Sequence, residues 1–500
     1  MIDEIAPPSP TFAERAALRV VQLGAIAVVL AASTDRAFDL DRFFVPKELV
    51  LHLTALISGL LLIRRLRVNR LLVAFLGVSI FSALFATNGW VAGRAVAITA
   101  SAIVLFEVGR ALRDAGLGRQ VAGAMALAVV VAAVTSLLQA YGIRLDIFAI
   151  NRAPGGTLGN RNFVAHAAAF GLPVVLLAAM RGRRRAAIGV MLVTAALVLT
   201  RSRAAWLAFG AVVIIFVVAV VMLRLWKRLA LLVVCAGAGV AIALLLPNAL
   251  QWRSENPYLE SVRGVVNYEE GSGHGRLVQY QRSLFMSPLI GVGPGNWAVE
   301  YPHRAPRSDP SLDQNASGMT SNPWPSSDWV AFAAERGFAA VILMACFFLA
   351  LLRDGWRRLR ESMDVDDRLA AAALIATIVG AGVAGAFDAV LLLAVPALIV
   401  FTTLGALSPP DAEPRGRRAW VMLIVIFICA AGVARSAAQL VAMDMYARGA
   451  SLQRASKLDP GNYRLHIRLA RGRQRCAHAR AAHALYPNAD EARALARGCR

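Results

Sequence analysis

Apolar residues in this chain come in long unbroken runs, not in the i, i+3, i+4 stripes of a soluble helix. A helix needs about 17–25 such residues to cross a bilayer. Thirteen runs qualify, at 17–33, 48–63, 71–87, 94–112, 119–142, 162–180, 186–202, 204–223, 229–247, 328–352, 368–388, 390–408 and 419–440. Two junctions are weakly marked, one around Arg201-Ser202-Arg203 and one around Asp388. The pattern is interrupted at length only by a polar stretch, 247–327, and it ends in a polar tail, about 443–500. These features predict an all-α polytopic membrane protein with about 12–13 transmembrane helices, a large loop at 249–327 and a small helical tail domain. The first run is followed by an Asp/Arg-rich segment with no Ala-x-Ala site, so it reads as a retained span and not a cleaved signal.

Composition agrees with this reading. Of 500 residues, 58% are hydrophobic, above the roughly 45–50% of soluble domains. The net charge of +22 would raise the question of nucleic acid in a soluble protein. Here the basic residues sit in short clusters between apolar runs, so no nucleic-acid partner is expected. Arg64 to Arg67, Arg110 to Arg119, Arg181 to Arg185, Arg224 to Arg228, Arg353 to Arg360 and Arg415 to Arg418 all follow even-numbered spans. By the positive-inside rule they share the cytoplasmic side. The long loop carries six Arg against seven acids and faces outward. Thirteen spans put the tail on the same outer side, although it holds eleven Arg and one Lys against four acids. Cys476 and Cys499 support that side, because an oxidising compartment lets them pair. Cys235, Cys346 and Cys429 lie in apolar runs and read as packing residues. Within the tail, Leu458-Asp459-Pro460-Gly461-Asn462-Tyr463 and Leu485-Tyr486-Pro487-Asn488 punctuate three short helices in a tetratricopeptide-like pattern. A plain helical hairpin is the alternative.

The long loop and its borders hold the candidate chemistry, since long loops in compact proteins tend to carry function. Arg201 and Arg203 sit where one apolar run gives way to the next, on the outer side and against the charge rule. They either anchor the turn among lipid head groups or clamp phosphate with guanidinium forks. His274-Gly275-Arg276 opens a helix-like run that includes Arg282, another anion-binding candidate or else a plain surface loop. Gly291-Val292-Gly293-Pro294-Gly295-Asn296-Trp297 lacks the context of a nucleotide-binding loop and reads as a rigid turn that brings backbone close to other groups. Asp328, after Ser326-Ser327, is either a helix cap or a general base. His303 is the rival base and His274 a weaker one. Asp388 is costly among apolar neighbours and is a functional candidate or a capped helix break.

In order and depth, Gly159-Asn160-Arg161-Asn162, Thr200-Arg201-Ser202-Arg203, Gly275-Arg276, the glycine-rich turn and Glu335-Arg336-Gly337 resemble the O-antigen ligase / Wzy polymerase superfamily over residues 150–345. The resemblance implies a GT-C-like helical fold and a division into N-terminal helices (1–150), a catalytic membrane region (151–440) and the tail (443–500). It implies inverting transfer from an undecaprenyl-pyrophosphate-linked glycan at the periplasmic face of the bacterial inner membrane, with no metal or other cofactor. Arg203 and Arg276 would hold the pyrophosphate, with Arg201, Arg161, Asn162, His274 and Arg282 binding substrate and Asp328 or His303 as base. The ligases carry a His–Asn pair nine residues before the glutamate matching Glu335, whereas this chain has Ser326 and Ser327 there. That departure favours an O-antigen or exopolysaccharide polymerase over transfer to lipid A-core or protein. The tail would meet a chain-length regulator or assembly proteins. A flippase-type transporter predicts polar residues inside many spans and repeated halves, yet Asp388 and Glu107 are nearly the only intramembrane acids. A scaffold would tolerate deletion of the 249–327 loop, which an enzyme would not.

Overall fold

The computed structural model describes residues 9–38, 40–252, 254, 256–263, 271–286, 289–410, 419–472 and 475–499. The Arg415 to Arg418 cluster and Pro288 lie outside them. Helices stand at all thirteen expected positions. They are α1 (Phe12–Leu30), α2 (Asp41–Leu61), α3 (Arg70–Ala83), α4 (Gly89–Asp114), α5 (Gly118–Ala140), α6 (Arg161–Met180), α7 (Arg184–Thr200), α8 (Arg203–Leu223) and α9 (Trp226–Leu245). The loop adds α10 (Pro257–Arg263), α11 (Gly271–Leu284) and α12 (Trp297–Arg304). The membrane series resumes with α13 (Asp328–Arg336), α14 (Phe338–Glu361), α15 (Val365–Phe387), α16 (Ala394–Leu407) and α17 (Ala419–Ala447), and the tail holds α18 (Leu452–Leu458), α19 (Tyr463–Ala470), α20 (Arg475–Leu485) and α21 (Asp490–Arg497). Among the described residues nine helices are long and apolar enough to cross a membrane, and α3 and α16 are apolar but shorter. The protein is an all-α polytopic membrane protein.

Helix ends follow local chemistry. Thr11 and Glu14 form a capping box on α1, and the side chains of Asn69, Asn88 and Asn160 cap α3, α4 and α6. At the centre, α16 is buried along its whole length against α4. Glycines let the two backbones touch, because a Cβ on Gly405 would lie 2.0 Å from the Phe106 carbonyl oxygen and one on Gly109 2.5 Å from that of Thr402.

Two expected spans are built differently. The run 328–352 is broken at Gly337, whose φ of 82° only glycine adopts cheaply, into α13 and α14. The run 390–408 gives only the 14-residue α16, preceded by non-helical residues 388–393. Such backbone is tolerated at membrane depth only where its N–H groups find partners. Asp328 supplies them, accepting from Val390 N–H at 2.9 Å and from Leu391 N–H at 2.9 and 3.0 Å.

Contacts divide the helix ends into two faces. On one, Arg67 meets Asp114 (3.2 Å), Arg181 and Arg119 share Asp366 (2.8 and 3.0 Å), Arg358 donates to Asp367 (3.1 Å) and Arg65 pairs with Glu14. On the other, Arg42 reaches the Phe148 carbonyl (2.9 Å), Lys47 the Thr157 carbonyl (2.6 Å), Asn88 N–H the Asn296 side chain (2.7 Å), and Ala249 N–H the Ala140 carbonyl (2.8 Å). The grouping is the one the charge pattern gave.

The tail belongs to the second face. Trp90 donates to Asp459 (2.7 Å), Asn488 to the Val299 carbonyl (3.1 Å), and Asp490 N–H to the Ser317 carbonyl (3.0 Å). Met319 of the loop packs among Ile467, Ala482 and Ala489. Cys476 and Cys499 form a disulfide.

Candidate functional site

A cavity of about 1690 Å³ opens on the loop face beside α5, α6 and α8. Six arginines line it, Arg36, Arg144, Arg161, Arg201, Arg203 and Arg263, against two acids, Asp146 and Glu260, among the described residues. Local structure explains why they gather. Thr200 ends α7, Arg201 turns the chain in the left-handed region (φ 56°), and Arg203 is the first residue of α8. Arg161 is the first residue of α6. Two helix N-termini, each with a partial positive charge, therefore meet at this cavity.

Trp252 organises the arginines. The Arg201 guanidinium lies 4.8 Å from its ring centroid and that of Arg161 5.1 Å. Each cation gains from the ring, but the two repel one another. Arg201 is steadied by Ser261 (2.9 Å) and by the exposed Glu260 (3.1 Å). An anion with several oxygens fits such an excess of guanidinium donors.

A second cluster lies around the start of α6. Asn162 is 3.5 Å from the Asp388 carboxylate, and His166, one turn deeper and buried, has Nε2 3.8 Å from the same group. Neither ring nitrogen of His166 has a hydrogen-bond partner within the protein. Arg276 of α11 is within electrostatic reach of His166. Helix α11 is held over this spot by Gln279, which accepts from Ser326 N–H at 2.7 Å, and by Tyr280, whose hydroxyl lies 3.0 Å from the Ala386 carbonyl. Four stretches distant in sequence, 160–166, 276–280, 326–328 and 386–388, thus converge.

The glycine-rich turn has a definite structural task. Val292 and Gly293 N–H groups bond the Ala334 and Glu335 carbonyls (2.9 and 3.0 Å), and Gly295 N–H bonds the Glu335 carboxylate (2.8 Å). Gly291 has φ 82°, and a Cβ there would lie 2.2 Å from the Glu335 carbonyl carbon. The turn finishes the C-terminus of α13 and buries the Glu335–Arg336 pair.

The remaining candidates are dispersed. Arg203 lines the arginine cavity, whereas Arg276 does not and stands with the Asp388 cluster. Asp328 is fully buried with its carboxylate spent on backbone amides. His303 and His274 are exposed. Arg282 pairs with the buried Asp309, which also accepts from Tyr301 (2.9 Å), so it ties the loop together. His166 went unnoticed in the sequence, although a titratable side chain inside an apolar run is itself a signal.

Residues 187–345 match the family model described as O-Antigen ligase. Over that stretch the chain is similar to the O-antigen ligase family. The ligase-family match spans most of α7 through the first turns of α14 and so includes Arg201, Arg203, Arg276, the glycine-rich turn and Glu335. Arg161, Asn162, His166 and Asp388 lie outside it. No curated protein matches the chain.

Proposed function

We propose that this protein is an inverting membrane glycosyltransferase that polymerises undecaprenyl-pyrophosphate-linked oligosaccharide units into O-antigen or exopolysaccharide at the periplasmic face. The observation that carries the reading is the arginine cavity, among the described residues six guanidinium groups to two acids at two helix N-termini within the ligase-family region and beside it. In this reading the acceptor hydroxyl oxygen bonds to the anomeric carbon of the donor. The bond from that carbon to the diphosphate breaks, and its electron pair leaves with the phosphate oxygen. Arg203, Arg201 and Arg161 stabilise the growing negative charge on the departing diphosphate. Arg276 approaches the reacting sugar from α11, beside Asn162.

The hydroxyl proton needs a base. Asp328 is committed to the 388–393 backbone and His303 faces solvent. His166, with no partner other than the neighbouring Asp388, is the better-placed group. We assign it the proton, with Asp388 orienting the ring and stabilising the imidazolium.

The test uses purified full-length protein with a lipid-linked repeat unit, read as a polymer ladder. Arg203→Lys and Arg276→Lys keep the charge but lose the fork, and each is expected to slow polymerisation by roughly 10²–10³-fold. A wild-type ladder from Arg203→Lys, correctly inserted, would refute the diphosphate clamp, and one from Arg276→Lys would remove Arg276 from the site. His166→Ala is expected to cost about 10²–10⁴-fold. A deletion strain separates the two activities of the superfamily, because a single-repeat product marks a lost polymerase and free lipid-linked polymer a lost ligase.

A further inference from the structure

A second cavity, of about 920 Å³, opens on the same face between α2, α4, α17 and the tail. Its chemistry is unlike that of the first. Among the described residues six arginines and six acids line it, so it carries no net charge, and ten of its lining residues are aromatic. The arginines at its mouth are already engaged. Arg94 forms a bidentate pair with Glu48 (2.6–2.9 Å) and lies 3.5 Å from Asp41, Arg435 sits over Trp90 (4.9 Å) and donates to Gln439 (3.0 Å), and Arg471 pairs with Glu491. A diphosphate gains little where cations are already matched by acids.

Flat rings between paired polar groups suit a different ligand. The C–H face of a pyranose lies against the negative face of an aromatic ring, while its hydroxyls exchange hydrogen bonds with amides and carboxylates. Pockets of about 300–1,000 Å³ hold ligands of this size. Trp324 stands at the wall nearest the catalytic cluster, edge-on to Phe44 (5.1 Å) and tilted toward Phe163 of α6 (6.2 Å). It belongs to Asn322-Pro323-Trp324-Pro325, whose two prolines stiffen the segment.

His166 lines neither cavity but stands near both. A small pocket of about 20 Å³ is lined by His166 and Phe163 and shares Phe44 and Leu393 with the second cavity. About 10–15 Å³ suffices for a water, so the pocket has room for a single hydroxyl. On the other side His166 is one turn from Asn162 and close to Arg161, which lines the first cavity. We infer that the second cavity binds the sugar portion of the acceptor, apart from its lipid diphosphate, and that its attacking hydroxyl reaches His166 past Phe44 and Leu393. This rests on the glycosyltransferase reading above and adds where the acceptor sits.

The experiment titrates full-length protein in nanodiscs with the repeat-unit oligosaccharide freed from its lipid diphosphate by mild acid, followed by tryptophan fluorescence. Saturable binding is expected, weakened at least about tenfold in Trp324→Ala and in Gln439→Ala but not in Arg203→Ala. In turnover the two cavity variants should raise the acceptor KM by a similar factor with kcat little changed, and Trp324→Phe should recover most of the loss. If Trp324→Ala does not insert, Gln439→Ala and Asn322→Ala decide the matter. Wild-type binding in the cavity variants would overturn the inference. So would weakening confined to Arg203→Ala, or a resident phospholipid that the oligosaccharide does not displace. Normal polymerisation by Arg203→Lys is a separate result, which sinks the clamp and leaves the saccharide site to stand or fall on the binding curves.

Discussion

The basic face of the helix bundle and the first cavity of the loop face spend arginine in opposite ways. On the basic face arginines pair with nearby acids or helix-end carbonyls, as Arg181 and Arg119 do with Asp366, Arg358 with Asp367 and Arg228 with the Met180 carbonyl. In that cavity arginines are gathered in excess of acids, and Arg161 and Arg201 share one indole. The first arrangement orients the chain and closes helix ends. The second concentrates net positive potential in a cavity. Charge count alone does not distinguish them, but the ratio of cations to acids within one enclosure does.

The sharpest test of this contrast is a matched pair of deletions. Arg203→Ala is expected to lower turnover by roughly 10²–10³-fold, while Arg181→Ala on the opposite face leaves it near wild type. Equal losses would erase the distinction. Next in size is Asp328→Ala, which orphans the buried Val390 and Leu391 amides at a cost of roughly 1–3 kcal/mol for each. Thermal unfolding in detergent should report that loss, and Asp328→Asn should recover part of it. Asp366→Ala on the basic face should cost only about 0–1 kcal/mol, as partly exposed ion pairs do, with polymer unchanged on a gel.

The smallest effect is one of pH. Hydrogen bonding from Ser317, helped by Arg307 and Arg493, holds the Asp490 carboxyl below its ordinary range. Its contribution to the tail–loop seam is therefore present above the ordinary carboxylate pKa and is lost as pH falls through the depressed value. Protease sensitivity of the tail should rise on that acid limb, and Asp490→Asn should remove the pH dependence.

The sequence made the helices and the grouping of their ends legible, because apolar run length and arginine placement are local properties. It also marked the glycine-rich turn as a site of close backbone approach, which the Gly291 contact with Glu335 explains. What it could not supply were pairings across the chain. Asp328 looks like a base beside Ser327 until residues 390 and 391 are seen donating to it. Arg203 and Arg276 look like one clamp, but they are carried by α8 and α11 and stand at separate parts of the site. The break at Gly337 was hidden inside an apolar run, where only Glu335-Arg336 hinted that the span was not continuous.

The seam between Met319 and the helices around Ile467 and Ala489 sets an order of assembly. The 311–321 segment is synthesised long before its partners exist, and it waits uncovered until residues 486–490 have emerged. The seam therefore closes only after the intervening helices have been made, and a nascent molecule cannot present that finished surface while residues 486–490 are still within the ribosome.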